Sequence, residues 1–254
     1  GIALGTIIAE WSTVIFAVWL IMRELNSRRE PGNEFWPRSR LLDAAALKKM
    51  LAANRDIMIR TLLLVFSFGF FINQSAQFGD VVLAANHILL QLISFAAFFL
   101  DGYAFVVESL VGSSVGARRR DSFDIAVKRS SILALVTATA LALLLLVFGD
   151  LAVAMLTDLE PVQTAAQGSL FLAAIYIFFS FAAFQLDGVF IGASFTRQMR
   201  NAAFLSIAVF LAAWWILMDR FGVNGLWWAM IIYVAARADA LLLFYPALRK
   251  SIDH

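Results

Sequence analysis

The sequence contains no cysteine. That removes disulfide frameworks, thiolate metal sites and cysteine nucleophiles from consideration. Its two histidines, His87 and His254, are too few for a histidine-rich metal centre. Charge is scarce: 15% of residues are Asp, Glu, Lys or Arg, where soluble domains carry about 25%. Proline is scarce too. All four (Pro31, Pro37, Pro161 and Pro246) fall in connections or at the ends of apolar runs. An interior proline removes a backbone hydrogen bond, so the runs themselves are free to be unbroken helices. There is no glycine-rich phosphate loop, nucleophile motif or acidic metal motif. An enzyme is therefore not expected, nor is a cofactor or a nucleic-acid partner.

What is present is apolar. Of 254 residues, 62% are hydrophobic. Crossing about 30 Å of hydrocarbon takes roughly 20 helical residues. Seven stretches qualify: 1–22, 57–78, 81–116, 126–149, 165–192, 202–218 and 223–246. The expected fold is an all-α, polytopic membrane helix bundle of about seven transmembrane helices, with the lipid bilayer as its first partner. The third and fifth stretches are longer than a span requires.

The cations fix an orientation. The connection between the first two spans is rich in Lys and Arg, and "GARRRDSFDIAVKR", "TRQMRN" and the tail add more. The opposite loops, "QFGD", "TDLEPVQ" and "DRFGVNG", hold Arg220 as their one cation, and Arg237 lies inside the last span. The basic side is expected in the cytoplasm of an inner (plasma) membrane, with the C-terminus on that side.

Two internal echoes suggest repeated architecture. "GIALGTII" at 1–8 resembles "GLWWAMII" at 225–232, and "FFLDGYAF" at 98–105 resembles "FQLDGVFI" at 184–191. Such repeats are common in transporters. The expected organisation is residues 1–23 as the last helix of a first lobe, 24–56 as a cytoplasmic connection, and 57–248 as a six-helix second lobe. Within the connection, "LLDAAALKKMLAANR" (41–55) reads either as an interfacial amphipathic helix or as a solvated link.

Charges inside spans are expensive, about 2.5–3.5 kcal/mol each at the centre of the bilayer on insertion scales. They therefore mark candidate sites. In the third span His87, Ser94, Asp101 and Glu108 recur every seven residues and share one helical face, with Gln91 beside it. Asp101 is near mid-depth and Glu108 is nearer the cytoplasm. Either they form a proton or cation site on a transport cavity, or they are carboxylates satisfied by neighbouring helices. Asp187 shares a face with Tyr176 and Ser180, but the cytoplasmic loop begins only a few residues later. That depth leaves open that it merely reaches the interface. Arg237 needs an acidic partner on another helix, with Asp101 the first candidate and Asp187 the second. Asn73, Gln74 and Gln77 read equally as lining of an outward cavity or as interhelical hydrogen bonding. Trp214, Trp215, Trp227 and Trp228 read as an aromatic belt.

"VVLAANHILLQLISFAAFFLDGYAFVVESLVGSSVGARRR" resembles the multidrug and toxic compound extrusion (MATE) family, in the branch of the DNA-damage-inducible protein DinF. The elements Ala-Ala-Asn, Leu-Leu-Gln, Phe-Leu-Asp-Gly and Glu-x-Leu-Val-Gly, followed by a basic loop, match in order, and "LDGVFIGASFTRQMRN" fits a later helix. The resemblance implies two six-helix lobes and export of organic, often cationic, small molecules. It also implies antiport against H⁺ or Na⁺ and, for this chain, a partner in the form of a missing N-terminal lobe. Two alternatives are a lipid-linked oligosaccharide flippase of the same superfamily and a non-transporting membrane scaffold. A flippase cavity should carry several cations for a pyrophosphate, and the sequence places only Arg237 at depth.

Overall fold

A computed structural model describes residues 2–27 and 43–252. The expectations that rest on residues 28–42, Gly1 and His254 lie outside the described residues. These include most of the cations in the first connection, Pro31 and Pro37. Among the described residues the fold is helical throughout. The chain divides into two units, Gly1–Lys49 and Met50–His254.

In the first unit, α1 (Ile2–Ser27) is apolar on all its faces apart from its ends and Glu10. A helix of that kind is stable in lipid or against a protein surface rather than in water. Arg23, one turn from Trp19, lies 5.6 Å from the centre of its ring.

The helix α2 (Ala44–Ala76) starts in the first unit and runs into the second. Its first turn is capped by Asp43, whose Oδ1 accepts from the backbone N–H groups of Ala45 (2.9 Å) and Ala46 (3.3 Å). Residues 44–55 and the second span thus form one unbroken helix, with no break at 56/57. No proline or glycine interrupts the sequence before Gly69, so nothing stops the helix there.

The rest of the second unit comprises α3 (Asp80–Gly116), α4 (Arg120–Leu156), α5 (Glu160–Gln167), α6 (Leu170–Gly192) and α7 (Thr196–Lys250). Two features refine the expected spans. The fifth apolar run does not begin as one helix: a turn at Gly168 and Ser169 separates the short α5 from α6. The sixth and seventh runs are two arms of α7, which folds back at Gly222 (φ 55°, ψ −129°). That backbone conformation suits glycine because it has no Cβ to clash. The fold-back is tight. A Cβ on Gly225 would collide with the Leu217 carbonyl, and Phe210 on one arm packs on Tyr233 of the other at 5.3 Å. Among the described residues six helices are long and apolar enough to cross a membrane, α7 counted once. With α7 folded back, the seven expected spans are present.

Helix α6 is the central post. It packs against α3, α4 and α7. Its sequence is hydrophobic on every side, as a helix surrounded by others requires. Close packing on α3 depends on two glycines. A Cβ on Gly188 would strike the Ala104 carbonyl, and one on Gly192 would strike the Glu108 carbonyl. Small residues at such crossings let backbones approach in the absence of a hydrophobic driving force. Gly102, which follows Asp101 on α3 as Gly188 follows Asp187 on α6, has no such role, since nothing lies within 4 Å of its missing Cβ.

The end away from the basic loops is held by a neutral network. Trp227 Nε1 donates to Asn86 Oδ1 at 3.0 Å, and Asn86 Nδ2 donates to Ser75 Oγ at 2.8 Å. The Trp227 and Phe71 rings pack edge to face at 4.9 Å. Trp227 is fully buried, so it is a core residue rather than part of an aromatic belt. Trp215 and Trp228 are the exposed members, whereas Trp214 packs on Phe70.

A charged cavity as the candidate functional site

The Asn86–Ser75 contact fixes how α2 and α3 lie antiparallel. Counting back along α2 and forward along α3 by the same number of residues brings Arg60 level with Asp101. The glycine contacts set α6 parallel to α3, with Gly188 opposite Ala104. Asp187 therefore lies within about half a turn of the level of Asp101. It is 8% exposed, enclosed among the helices of the bundle.

These positions converge on a cavity of about 320 Å³. Helix α2 contributes Arg60, Leu64 and Phe68; α3 contributes Asp101, Ala104, Phe105 and Glu108. Helix α6 contributes Tyr176, Phe184, Asp187, Gly188 and Ile191, and α7 contributes Arg237. A smaller adjoining space of about 60 Å³ shares Phe68, Tyr176 and Phe184, and is also lined by Ser94 and Ser180.

The charge pattern is specific. Arg237 donates to Asp187 Oδ2 at 2.5 Å. Arg60 donates to the same oxygen. One carboxylate thus bridges two guanidinium groups from two other helices. The side chains of Arg60, Arg237 and Asp187 are 18%, 11% and 12% exposed. Arg237 also lies over the Tyr233 ring, 5.9 Å from its centre. The partner of Arg237 is therefore Asp187 and not Asp101. Helix α7 packs closely on α6, so the acid it meets is the one that α6 carries. Asp101 and Glu108 line the same cavity but form no hydrogen bond or ion pair with another described residue.

Of the residues singled out in the sequence, the structure brings Asp101, Glu108, Asp187, Arg237 and Tyr176 together. Asn73 and Gln91 are exposed and do not line this cavity, and His87 is exposed as well. Gln74 is buried and donates to Asn73 Oδ1 at 3.4 Å. The residue sequence reasoning missed is Arg60, which it counted among the cations flanking the first connection. Its signal was local: Arg60, Leu64, Phe68 and Phe71 recur at helical spacing on one face. The count of a single cation at depth is accordingly corrected to two.

Beyond the cavity, Asp56 is buried and accepts from Arg200 Nη1 at 2.8 Å and from Arg55 at 3.2 Å. Asp124 on α4 accepts from Arg249 Nε at 2.9 Å. These pairs stitch α2 to the first arm of α7 and α4 to the second arm, at the end that carries the basic segments.

The fold and this cavity define a class: a multi-pass helical membrane protein with ionisable groups enclosed within its bundle. Residues 57–215 match the MatE family, more than half of the chain, and the chain belongs to that family. It is 32% identical over 245 residues to DNA damage-inducible protein F of Escherichia coli (strain K12), covering 95% of this chain and 51% of that protein. It is 27% identical over 177 residues to the probable multidrug resistance protein NorM of Photorhabdus laumondii, covering 67% and 39% of the two chains. The chain thus spans about half the length, or less, of these curated relatives. The fold is that of a Vibrio cholerae MATE transporter, VcmN, in the bent form, with a TM-score of 0.80 at 17% identity over 93% of this chain and 53% of that one. A MOP superfamily transporter from Pyrococcus furiosus superposes with a TM-score of 0.66 at 17% identity, over 78% and 44% of the chains.

Proposed function

We propose that this chain forms the second lobe, with the closing helix of the first, of a secondary transporter that exports organic compounds from the cytoplasm by H⁺ or Na⁺ antiport. The two lobes alternate access to a central cavity, and the basic loops and C-terminus face the cytoplasm. The observation that carries this reading is the cavity in which Asp101 and Glu108 stand without an ion pair beside an Asp187 held by two arginines. Ionisable groups at membrane depth mark ion or substrate paths. A carboxylate that no arginine contacts directly is free to hold a coupling ion or the cationic group of a substrate. Protonation cancels the charge that holds a cation, so entry of a proton from outside releases the cargo outward. The presence of a multidrug resistance protein among the relatives supports the same reading.

The flippase alternative gains one point from Arg60, which raises the cations at depth to two. The three carboxylates in the same cavity still outnumber them, so a multiply charged pyrophosphate fits it less well than a cation or a zwitterion.

The test is Asp101→Asn in the two-lobe protein, reconstituted in proteoliposomes with an imposed ion gradient. The substitution keeps size and hydrogen bonding but fixes the neutral state. The variant is expected to fold and to lose uphill export of a fluorescent organic cation. Wild-type export per folded molecule would remove Asp101 from coupling and leave it a packing residue.

A further inference from the structure

The balance of donors at Asp187 does not close. A guanidinium carries five N–H donors. Arg60 and Arg237 each place one of them on Asp187 Oδ2 and none on any other described residue. Asp187 can balance one of the two positive charges. The nearest remaining carboxylates, Asp101 and Glu108, line the same cavity yet lie beyond ion-pair distance of both arginines. A bridge that served packing alone would need one arginine. The second leaves guanidinium donors that no described residue accepts, on side chains that line the cavity and are open to a ligand within it.

We propose that Arg60 and Arg237 form an anion subsite in this cavity. It takes the acidic group (carboxylate, sulfonate or phosphate) of an amphiphile whose cationic group lies toward Asp101 and Glu108. Guanidinium groups suit such acids because their paired N–H donors match two oxygens at once. Asp187 holds the two guanidiniums close together against their own repulsion, and the Tyr233 ring lies beside Arg237. Phe68, Phe105, Phe184 and Tyr176 supply an aromatic wall for the apolar body of the ligand. The cavity is thereby biased toward zwitterions over simple organic cations, which would leave the arginines unpaired.

This inference rests on the reading of the cavity as the substrate chamber, and the test separates the two. The probes are rhodamine B, a cation that also carries a free carboxylate, and its methyl ester, which keeps the cation and loses the acid. Binding of both is measured by fluorescence anisotropy on the full-length protein in lipid nanodiscs. The wild type is expected to bind the acid about tenfold more tightly than the ester, a difference of about 1.4 kcal/mol. Arg60→Gln and Arg237→Gln should each erase most of that preference, and Arg60→Lys should keep part of it. Because both dyes are read on the same sample, losses of folded protein cancel in the ratio. Equal affinity for the two dyes in the wild type, or a preference untouched by Arg60→Gln, overturns the anion subsite and leaves the chamber intact. Binding of neither dye overturns both. Sodium sulfate distinguishes the source of the acid. Failure of millimolar sulfate to displace rhodamine B supports the amphiphile, and ready displacement would make this a site for free inorganic anions and overturn the proposal as stated.

Discussion

The two ends of the second unit are held together by different chemistry. Toward the basic loops the helices are joined by ions: Asp56 with Arg200, Asp124 with Arg249 and, deeper, Asp187 with Arg60 and Arg237. Toward the other end they are joined by rings and neutral donors: Trp227 with Asn86 and Ser75, Phe71 with Trp227, and Phe70 with Trp214. The first kind of contact is strong and asymmetric, because losing one partner strands a charge. The second is weaker per contact and is spread over more atoms. The difference gives the unit a position-dependent sensitivity, which substitutions can rank.

The largest effect is expected at Asp187. Asp187→Asn would leave two guanidiniums facing each other with no anion between them. Breaking a buried ion pair costs about 3–5 kcal/mol, and a repulsive pair should lie toward the upper end of that range. The measurement is the fraction of protein surviving a heat step in detergent, read by size-exclusion chromatography. Replacing all three residues with apolar ones of similar volume should recover much of the loss, since removing every partner leaves no stranded charge. Wild-type survival of Asp187→Asn would mean that the ionic end is no more sensitive than the neutral one.

An intermediate effect is expected at Asn86. It accepts from Trp227 and donates to Ser75 across three helices. Asn86→Leu keeps the volume but leaves the buried Trp227 N–H without an acceptor. An orphaned buried group costs about 1–3 kcal/mol. The same heat step should place this variant between Asp187→Asn and the wild type. A loss as great as that of Asp187→Asn would dissolve the contrast between the two ends.

How much of this was legible beforehand follows from the physics of each feature. The seven spans were legible because hydrocarbon thickness imposes a length, and the fold-back at Gly222 falls between two runs already separated in the sequence. The family was legible in a motif order that runs along α3. Asp101 and Glu108 were legible because a seven-residue spacing places them on one face. The position of Asp187 was left open because its depth was judged from its distance to the next loop. Helix α6 ends level with Glu108, whereas α3 continues for about two more turns. Loop distance along one helix therefore says little about depth in the bundle. Arg60 was missed for a related reason. It stands four residues after the buried Asp56 on a helix expected to begin its span there, and only the continuity of α2 carries it into the cavity. The buried Trp227 was grouped with its exposed neighbour Trp228, because a belt pattern cannot tell which of two adjacent side chains faces the core.

The smallest effect is expected at Arg249. Its pair with Asp124 has the right geometry, with Nε at 2.9 Å, but the side chains are 42% and 33% exposed. Water and salt screen such a pair, and holding two long side chains in one arrangement costs entropy. Exposed ion pairs typically contribute about 0.2–1 kcal/mol. Arg249→Gln should therefore shift survival after the heat step only slightly, and raising the salt concentration should shrink even that difference. The pair nonetheless ties α4 to the last turn of α7, so the comparison is informative. If Arg249→Gln proves as damaging as Asp187→Asn, the ionic stitching of this end acts as one network, and exposure does not set the contribution of its members. If it is nearly silent, the sensitivity of the ionic end resides in the cavity itself, in the one carboxylate that holds two arginines in place.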